Sequence, residues 1–399
     1  MEVHSDVAYD LSPKVASSDL AELVWGNSDF AFALYRELSG GTENLFYSPY
    51  SISLALAMTY AGAANRTADQ MAQALRFTLP QERLHPAFNQ LALELAGRSA
   101  AEGADKDKAF RLNVANSLWG QTGYEFRKEF LDTLARNYGA GMRLTDFQAD
   151  PEAARLLIND WVLRETQEKI EEIIPPGVID TITRLVLANA VYFKASWQEP
   201  FDPDVTQDGA FKLLDGSTVT ARMMGLQTGL RSMQGTGYRA VEIPYVGGQL
   251  SMLILLPDEG KFQDVEGRLD RALAEKAVSG LQPGQVYLSM PKFKFEWMAA
   301  RLTDDFASLG MVDAFTRDAD FSGMDGTLNL FIQAILHKAF VGVDEFGTEA
   351  AAATVVIMRM KSGPVRPTEF RIDRPFFFLI RDNPTGTILF LGRVTNPVK

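Results

Sequence analysis

The chain has 399 residues, 39 basic against 51 acidic, a formal net charge of −12, and 46% hydrophobic residues. That is the composition of a globular protein with enough apolar material for a core, and its acidic balance argues against nucleic acid, which is met by basic surfaces. With no cysteine and only His4, His85 and His337 as histidines, it excludes disulfides, thiol nucleophiles, iron–sulfur clusters and histidine-rich or cysteine-rich metal sites, so neither metal nor cofactor is expected.

Residues 1–22 read as a poorly ordered N-terminal extension without the apolar stretch of a signal peptide. Asn27-Ser28-Asp29 before Phe30, Ala33, Leu34 and Leu38 predicts a capped helix closed by Gly40-Gly41. Ser48-Pro49 opens a second helix that runs to Gly62, with Ser as cap and Pro at the first helical position. Thr67-Ala68-Asp69-Gln70 has the form of a capping box for a third. The run Leu185 to Phe193 is apolar at almost every position and predicts a strand covered on both faces, interrupted by Asn189. Val241 to Leu256 reads as a hairpin turning at Gly247-Gly248. Gln285 to Phe295 and Leu328 to Val343 are further strands, and Asp215-Gly216 and Asp382 to Gly386 are turns. No apolar run reaches 18 residues, so no membrane span is expected. Length alone suggests two or three domains. The absence of repeats and linkers argues instead for one large mixed α+β unit.

Catalytic motifs are missing: there is no GxSxG, GxxxxGK[ST] or GxGxxG. His337 lies inside an apolar strand and reads as a hydrogen-bonded core residue. His85 lies in a polar helical stretch and reads as surface. Asn65-Arg66-Thr67 matches the glycosylation sequon, but Thr67 already reads as a helix cap. The segment from Glu345 to Pro367 carries conflicting signals: four alanines favour helix, Thr354 to Ile357 favour strand, and Gly363, Pro364 and Pro367 favour loop. Its small residues suit a segment that serves two conformations, and Arg359 and Lys361 suit a protease that cleaves after basic side chains.

Several separated stretches resemble the serpin family, in the family's order, over residues 23–399. They are Asn44 to Ile52, Ile158 to Val162 with Thr166 and Lys169-Ile170, Leu187 to Trp197, His337 to Ala350, Phe370 to Ile380 and Leu389 to Pro397. The resemblance implies an α+β serpin fold: three β-sheets with a large central sheet A, about nine helices, and an exposed reactive-centre loop over about 346–367. It implies a protein that is not an enzyme but a suicide-substrate inhibitor. A protease attacks the loop, forms an acyl ester, and is trapped when the cleaved loop enters sheet A as an extra strand. The native form is then metastable. Counting sixteen residues from the hinge glutamate places the reactive bond at Lys361–Ser362, with Arg359 and Met360 as alternative bait residues.

By the same resemblance, Glu345, Gly347, Thr348, Glu349, Ala350, Ala351, Ala352 and Ala353 form the hinge, with Thr348, Ala350 and Ala352 facing inward. Ser48, Ser51, Asn189 and His337 form a shutter beneath sheet A. Trp197, Lys292 and Glu345 form the breach where the loop enters. Glu168 departs from the family pattern, which usually has a small residue there. The expected partner is a trypsin-like serine protease in a covalent acyl complex, and the expected state is a monomer, extracellular or periplasmic. A non-inhibitory carrier or chaperone, and an inhibitor of papain-like cysteine proteases, are the alternatives.

Overall fold

A computed structural model of the chain describes residues 2–98, 110–299, 302–348 and 366–399. The first part alternates helix and strand: β1 (Glu2–Val3), α1 (Ser17–Leu38), β2 (Leu45–Tyr47), α2 (Pro49–Tyr60), α3 (Asn65–Leu75), α4 (Gln81–Arg98), β3 (Arg111–Gln121), α5 (Lys128–Tyr138), β4 (Met142–Thr145) and α6 (Pro151–Glu165). Strands then dominate: β5 (Leu185–Ser196), β6 (Gln207–Lys212), β7 (Thr218–Gln234), β8 (Tyr238–Pro244) and β9 (Leu250–Pro257). After α7 (Phe262–Glu266) and α8 (Arg271–Gly280) come β10 (Gln282–Pro291), β11 (Phe293–Ala299), α9 (Thr303–Ser308), α10 (Ser322–Asp325), β12 (Ile332–Val343) and β13 (Gly347–Thr348). The chain closes with β14 (Thr368–Arg371), β15 (Phe376–Asp382) and β16 (Ile388–Val394).

The larger sheet follows the order β14-β10-β7-β8-β9-β15-β16-β2, with β6 beside β7. It joins what the family resemblance implies as two smaller sheets, because the 17-residue β7 pairs with β6 near its start and with β8 at its end. The other sheet, the predicted sheet A, runs β1-β4-β3-β5-β13-β12-β11. Its strand β5 is buried at nearly every position, as its unbroken apolar run requires. One face packs on α2 and the large core. The other is covered by α6 and residues 170–179, whose Ile158, Trp161, Val162, Ile170, Ile173 and Ile174 form a second apolar cluster with β3, β5 and β12.

Several sequence readings are corrected. α1 starts at Ser17 and runs through Asn27, whose Oδ1 accepts from Ser53 Oγ at 2.7 Å and caps nothing. Residues 2–3 form a strand, so the expected disordered extension holds an ordered element. Thr67 lies inside α3, where its Oγ1 accepts from Asp320 N–H. His85 is buried between α4 and α5, hydrogen-bonded to Tyr138 Oη at 2.6 Å. The run 285–295 breaks at Lys292 into strands of two different sheets. The Ser48-Pro49 helix start and the Gly247-Gly248 turn, at φ +86° and +66°, are as expected.

Gln167 and Glu168, at φ +53° and +60°, end α6 in the left-handed region. A side chain there costs roughly 1–2 kcal/mol, which glycine avoids. Glu168→Gly is expected to raise stability by about 0.5–1 kcal/mol after glycine's own entropy cost, read as a rise in the urea midpoint.

Candidate functional site

The site is the seam between β5 and β12. The two strands pair in parallel from Leu185/Ile332 to Val191/Ala339. Beyond that they diverge, and Gly347-Thr348 lies between them, paired antiparallel with Ala195 and Ser196 on one side and Val343 on the other. The seam is therefore closed at one end and wedged open at the other.

At the closed end a polar row crosses three strands. Asn116 on β3 faces Asn189 on β5, which faces His337 on β12. Asn189 Nδ2 donates to Ser51 Oγ at 2.6 Å and to Asn116 Oδ1. Ser51 Oγ donates to Asn116 Oδ1 at 3.2 Å. Ser48 caps α2 by accepting from Ser51 N–H at 3.1 Å, and its hydroxyl donates to Leu389 O at 2.7 Å. Ser48 N–H donates to His337 Nε2 at 3.2 Å. That bond needs a lone pair on Nε2, so the proton sits on Nδ1 and is donated to Asn189 Oδ1. His337 is thus a neutral imidazole with both nitrogens used, and it is not a catalytic base. Burial lowers its pKa to about 3. The structure brings Ser48, Ser51, Asn189 and His337 together and adds Asn116. Sequence reading missed Asn116; its only signal is a polar residue at the same face position as Asn189.

At the open end, Trp197 N–H donates to Phe346 O and its Nε1 to Asp344 O, both at 2.9 Å. The indole stacks on Tyr245 with centroids 4.6 Å apart. Lys292 Nζ and Thr206 Oγ1 donate to the two oxygens of Glu345 at 2.6 and 2.8 Å. Burial opposes ionisation of Glu345, but the Lys292 hydrogen bond, a backbone N–H, the Thr206 hydroxyl and the Lys292 charge together outweigh it and hold its pKa below the usual carboxylate value. Thr348 points inward, 1% exposed, with its hydroxyl 2.8 Å from Tyr245 Oη. A Cβ at Gly347 would lie 2.1 Å from Ala195 O, so only glycine fits between the strands. Trp197, Lys292, Glu345, Gly347 and Thr348 therefore meet. Thr206, Tyr245 and Asp344 join them unannounced by any local pattern. Glu349, Ala350, Ala351, Ala352, Ala353, Arg359, Met360, Lys361 and Ser362 lie outside the described residues. Among the described residues no cluster of three or more acidic or histidine side chains could hold a metal, and no helix is long and apolar enough to cross a membrane.

His85, lowered by burial to about 4, shares the behaviour of His337. Both folded pKa values lie below the unfolded value of about 6.5, so the unfolded chain binds more protons as pH falls. Stability is full above pH 6.5 and declines towards pH 3–4. At pH 5 the loss is roughly 2 kcal/mol per histidine. Urea midpoints at pH 7 and pH 5 check this, and His85→Gln is expected to remove about half of the difference.

Residues 26–397 match the family model "Serpin (serine protease inhibitor)". A serpin-like protein of Thermococcus kodakarensis is 39% identical over 374 residues, covering 93% of this chain and 84% of that one. Horse leukocyte elastase inhibitor is 39% identical over 391 residues, covering 95% and 100%. Among solved structures, native tengpin, a thermophilic serpin, superposes with a TM-score of 0.85 at 28% identity, covering 99% of this chain and 97% of that one. Human thyroxine-binding globulin with its hormone superposes at 0.83 and 30% identity, covering 95% and 99%. The sequence-based expectation of an extracellular or periplasmic location is corrected: the relatives matched at 36–39% identity include leukocyte elastase inhibitors and serpin B3, and extracellular placement is not favoured. The seam, the polar row beneath it and the match over nearly the whole chain make this protein a member of the serpin family of serine protease inhibitors.

Proposed function

We propose that the chain inhibits trypsin-like serine proteases as a suicide substrate, with Lys361–Ser362 as the reactive bond and residues 23–399 acting as one unit. The observation that carries this reading is the hinge. Gly347-Thr348 already occupies the top of the seam, antiparallel to both neighbours. A strand continuing downward from Thr348 would separate the parallel β5–β12 pair and replace it with two antiparallel ladders. Antiparallel pairing is the more stable kind per residue, and the insertion adds hydrogen bonds where the diverged strands have none to each other. That is a physical source for a lower-energy inserted state.

The steps follow from chain connectivity. The protease serine attacks the Lys361 carbonyl and forms an ester, and the new amine at Ser362 leaves with the C-terminal fragment. The Lys361 side of the loop remains joined to Thr348. As it enters the seam it carries the tethered protease along β5 and β12. Distortion of the oxyanion hole alone slows deacylation by about 10²–10³. Ser48, Ser51, Asn116, Asn189 and His337 hold the closed end until then; Trp197, Tyr245, Lys292 and Glu345 line the entrance. None of them is catalytic. A lysine bait fits an acidic primary pocket, whereas several relatives are named as inhibitors of elastase. A register shift to Met360 would favour an apolar pocket instead.

A carrier reading also has an observation behind it. A cavity of about 200 Å³ between α1, α8 and the β9–β15 pair is lined by Trp25, Ser28, Phe32, Arg271 and Arg381, and one structural relative was solved with thyroxine. The wedged hinge favours inhibition, because it sets a strand end at the point where a cleaved loop would enter the seam.

Equimolar incubation with trypsin is expected to give a denaturation-resistant band at the summed mass and a released peptide beginning at Ser362. Cleavage without that band, and without a rise in thermal stability, would support the carrier. Thr348→Arg would bury a charge opposite Tyr245 on the inward face. It is expected to abolish trapping while cleavage continues; unchanged trapping would overturn the insertion reading.

A further inference from the structure

The register at the top of the seam fixes how far a cleaved chain can reach. Gly347 and Thr348 face Ser196 and Ala195 of β5, and Thr348 faces Val343 of β12. A chain continuing in that register puts position 352 opposite Val191 on one side and Ala339 on the other, and those two residues are partners in the closed seam. The two sides therefore count alike. On β5 the ladder runs out at position 358, opposite Leu185, where the strand begins. Lys361 comes three residues later in the sequence. Three extended residues span at most about 10 Å. A protease joined to Lys361 through a serine set in a concave site is thus drawn hard against whatever surrounds the closed end of the seam.

Two apolar side chains stand at that end. Leu185 and Ile332 are the first partners of the parallel pair, and Ile182 lies three residues ahead of the one and Leu328 four ahead of the other. Ile182 is 58% exposed and Leu328 64%, and among the described large hydrophobic residues only Leu11 is more exposed than these two. Each is carried by a pinned turn. Asp180 Oδ1 accepts from Ile182 N–H and from Thr183 Oγ1, both at 3.0 Å. The Asp325 carboxylate accepts from Thr327 N–H and Thr327 Oγ1, both at 2.8 Å, and Thr327 Oγ1 accepts from Asn329 N–H at 3.2 Å. The backbone beneath each side chain is already ordered, so docking there costs little. A single exposed hydrophobic residue is ordinary; two bracketing the spot to which a short tether leads mark a contact surface.

We propose that Ile182 and Leu328 are the docking surface for the carried protease, one on each side of the incoming strand, and that their hold on it slows hydrolysis of the acyl ester. The proposal rests on the loop-insertion reading. In that hydrolysis water attacks the Lys361 carbonyl, a proton returns to the protease serine oxygen, and Lys361 is freed as a carboxylate. A protease held down on the rim cannot relax its oxyanion hole into the geometry this step needs. More than half of a protein's surface is apolar, so the pair finds contact on the protease whatever its charge.

Ile182→Asp, Leu328→Asp and the double variant, all at exposed positions of the full chain, test this. Each is mixed with trypsin, the denaturation-resistant complex is isolated, and the return of trypsin activity is followed. The double variant is expected to release active trypsin about tenfold faster than the parent. Its rate of complex formation and the thermal stability of its cleaved form are expected to match the parent's, which shows that insertion is intact. Ile182→Val and Leu328→Met keep the apolar surface and are expected to release at the parental rate. Leu214→Asp, 40% exposed on the β6–β7 turn of the other sheet, is the control. Raised salt is expected to leave release from the parent complex unchanged, since the contact carries no charge. Release by the double variant within twofold of the parent overturns the docking surface and leaves insertion standing. Cleavage of the parent without any complex overturns the inhibitor reading and the docking surface with it.

Discussion

Everything in this molecule is arranged around one parallel strand pair. β5 and β12 are each bound on their other side by an antiparallel ladder, to β3 and to β11. Parallel pairing is slightly weaker per residue, and this pair, unlike the short parallel β3–β4 contact near the sheet's edge, runs through the middle of sheet A. A sheet with such a line in its middle must be held shut from outside the ladder. The polar row of Asn116, Asn189 and His337 does this from below, bolted to the first turn of α2 through Ser48 and Ser51.

That row is a high-stakes device. Each buried polar group in it has a partner, and in a low-dielectric interior a satisfied network is rigid while a broken one is costly. Separating the strands strips Asn189 from His337 at once, so the closed end resists gradual opening. Above it, Gly347 and Thr348 fit between the two strands through one glycine where a Cβ would strike Ala195 O and one small inward side chain whose hydroxyl meets Tyr245 Oη. The two ends of the seam are thus built differently, one locked by a polar network and the other held apart by an inserted pair of residues.

The cover on the opposite face adds a further constraint. α6 and residues 170–179 reach β3, β5 and β12 through one apolar cluster, and Lys338 of β12 donates to Glu172 O at 3.3 Å. Any widening of the sheet must shear that cluster. Two left-handed residues without glycine, Gln167 and Glu168, put conformational strain inside the cover, between α6 and residues 170–179.

Much of this was legible in the sequence. The apolar run of β5 with a single Asn inside it, the Ser48-Pro49 helix start and the glycine turn between β8 and β9 are local patterns with local causes, and the ordered motifs from Asn44 to Pro397 carry the family resemblance. The errors fell where local pattern and tertiary packing disagree. Asn27 and Thr67 look like caps but are inside helices, because α1 continues upstream over α4 and Thr67 is claimed by Asp320 N–H. His85 looks exposed because its neighbours in sequence are polar, yet its side faces α5. Asn116, Thr206 and Tyr245 could not be singled out, since their partners lie 65 to 139 residues away. The sequence by itself determined the elements, the absence of thiol and metal chemistry, and the small side chains that suit the hinge. Only the tertiary structure decided that the seam is wedged at one end and locked at the other, and that the N-terminus grips the sheet edge, because these depend on which distant strands meet and in which register.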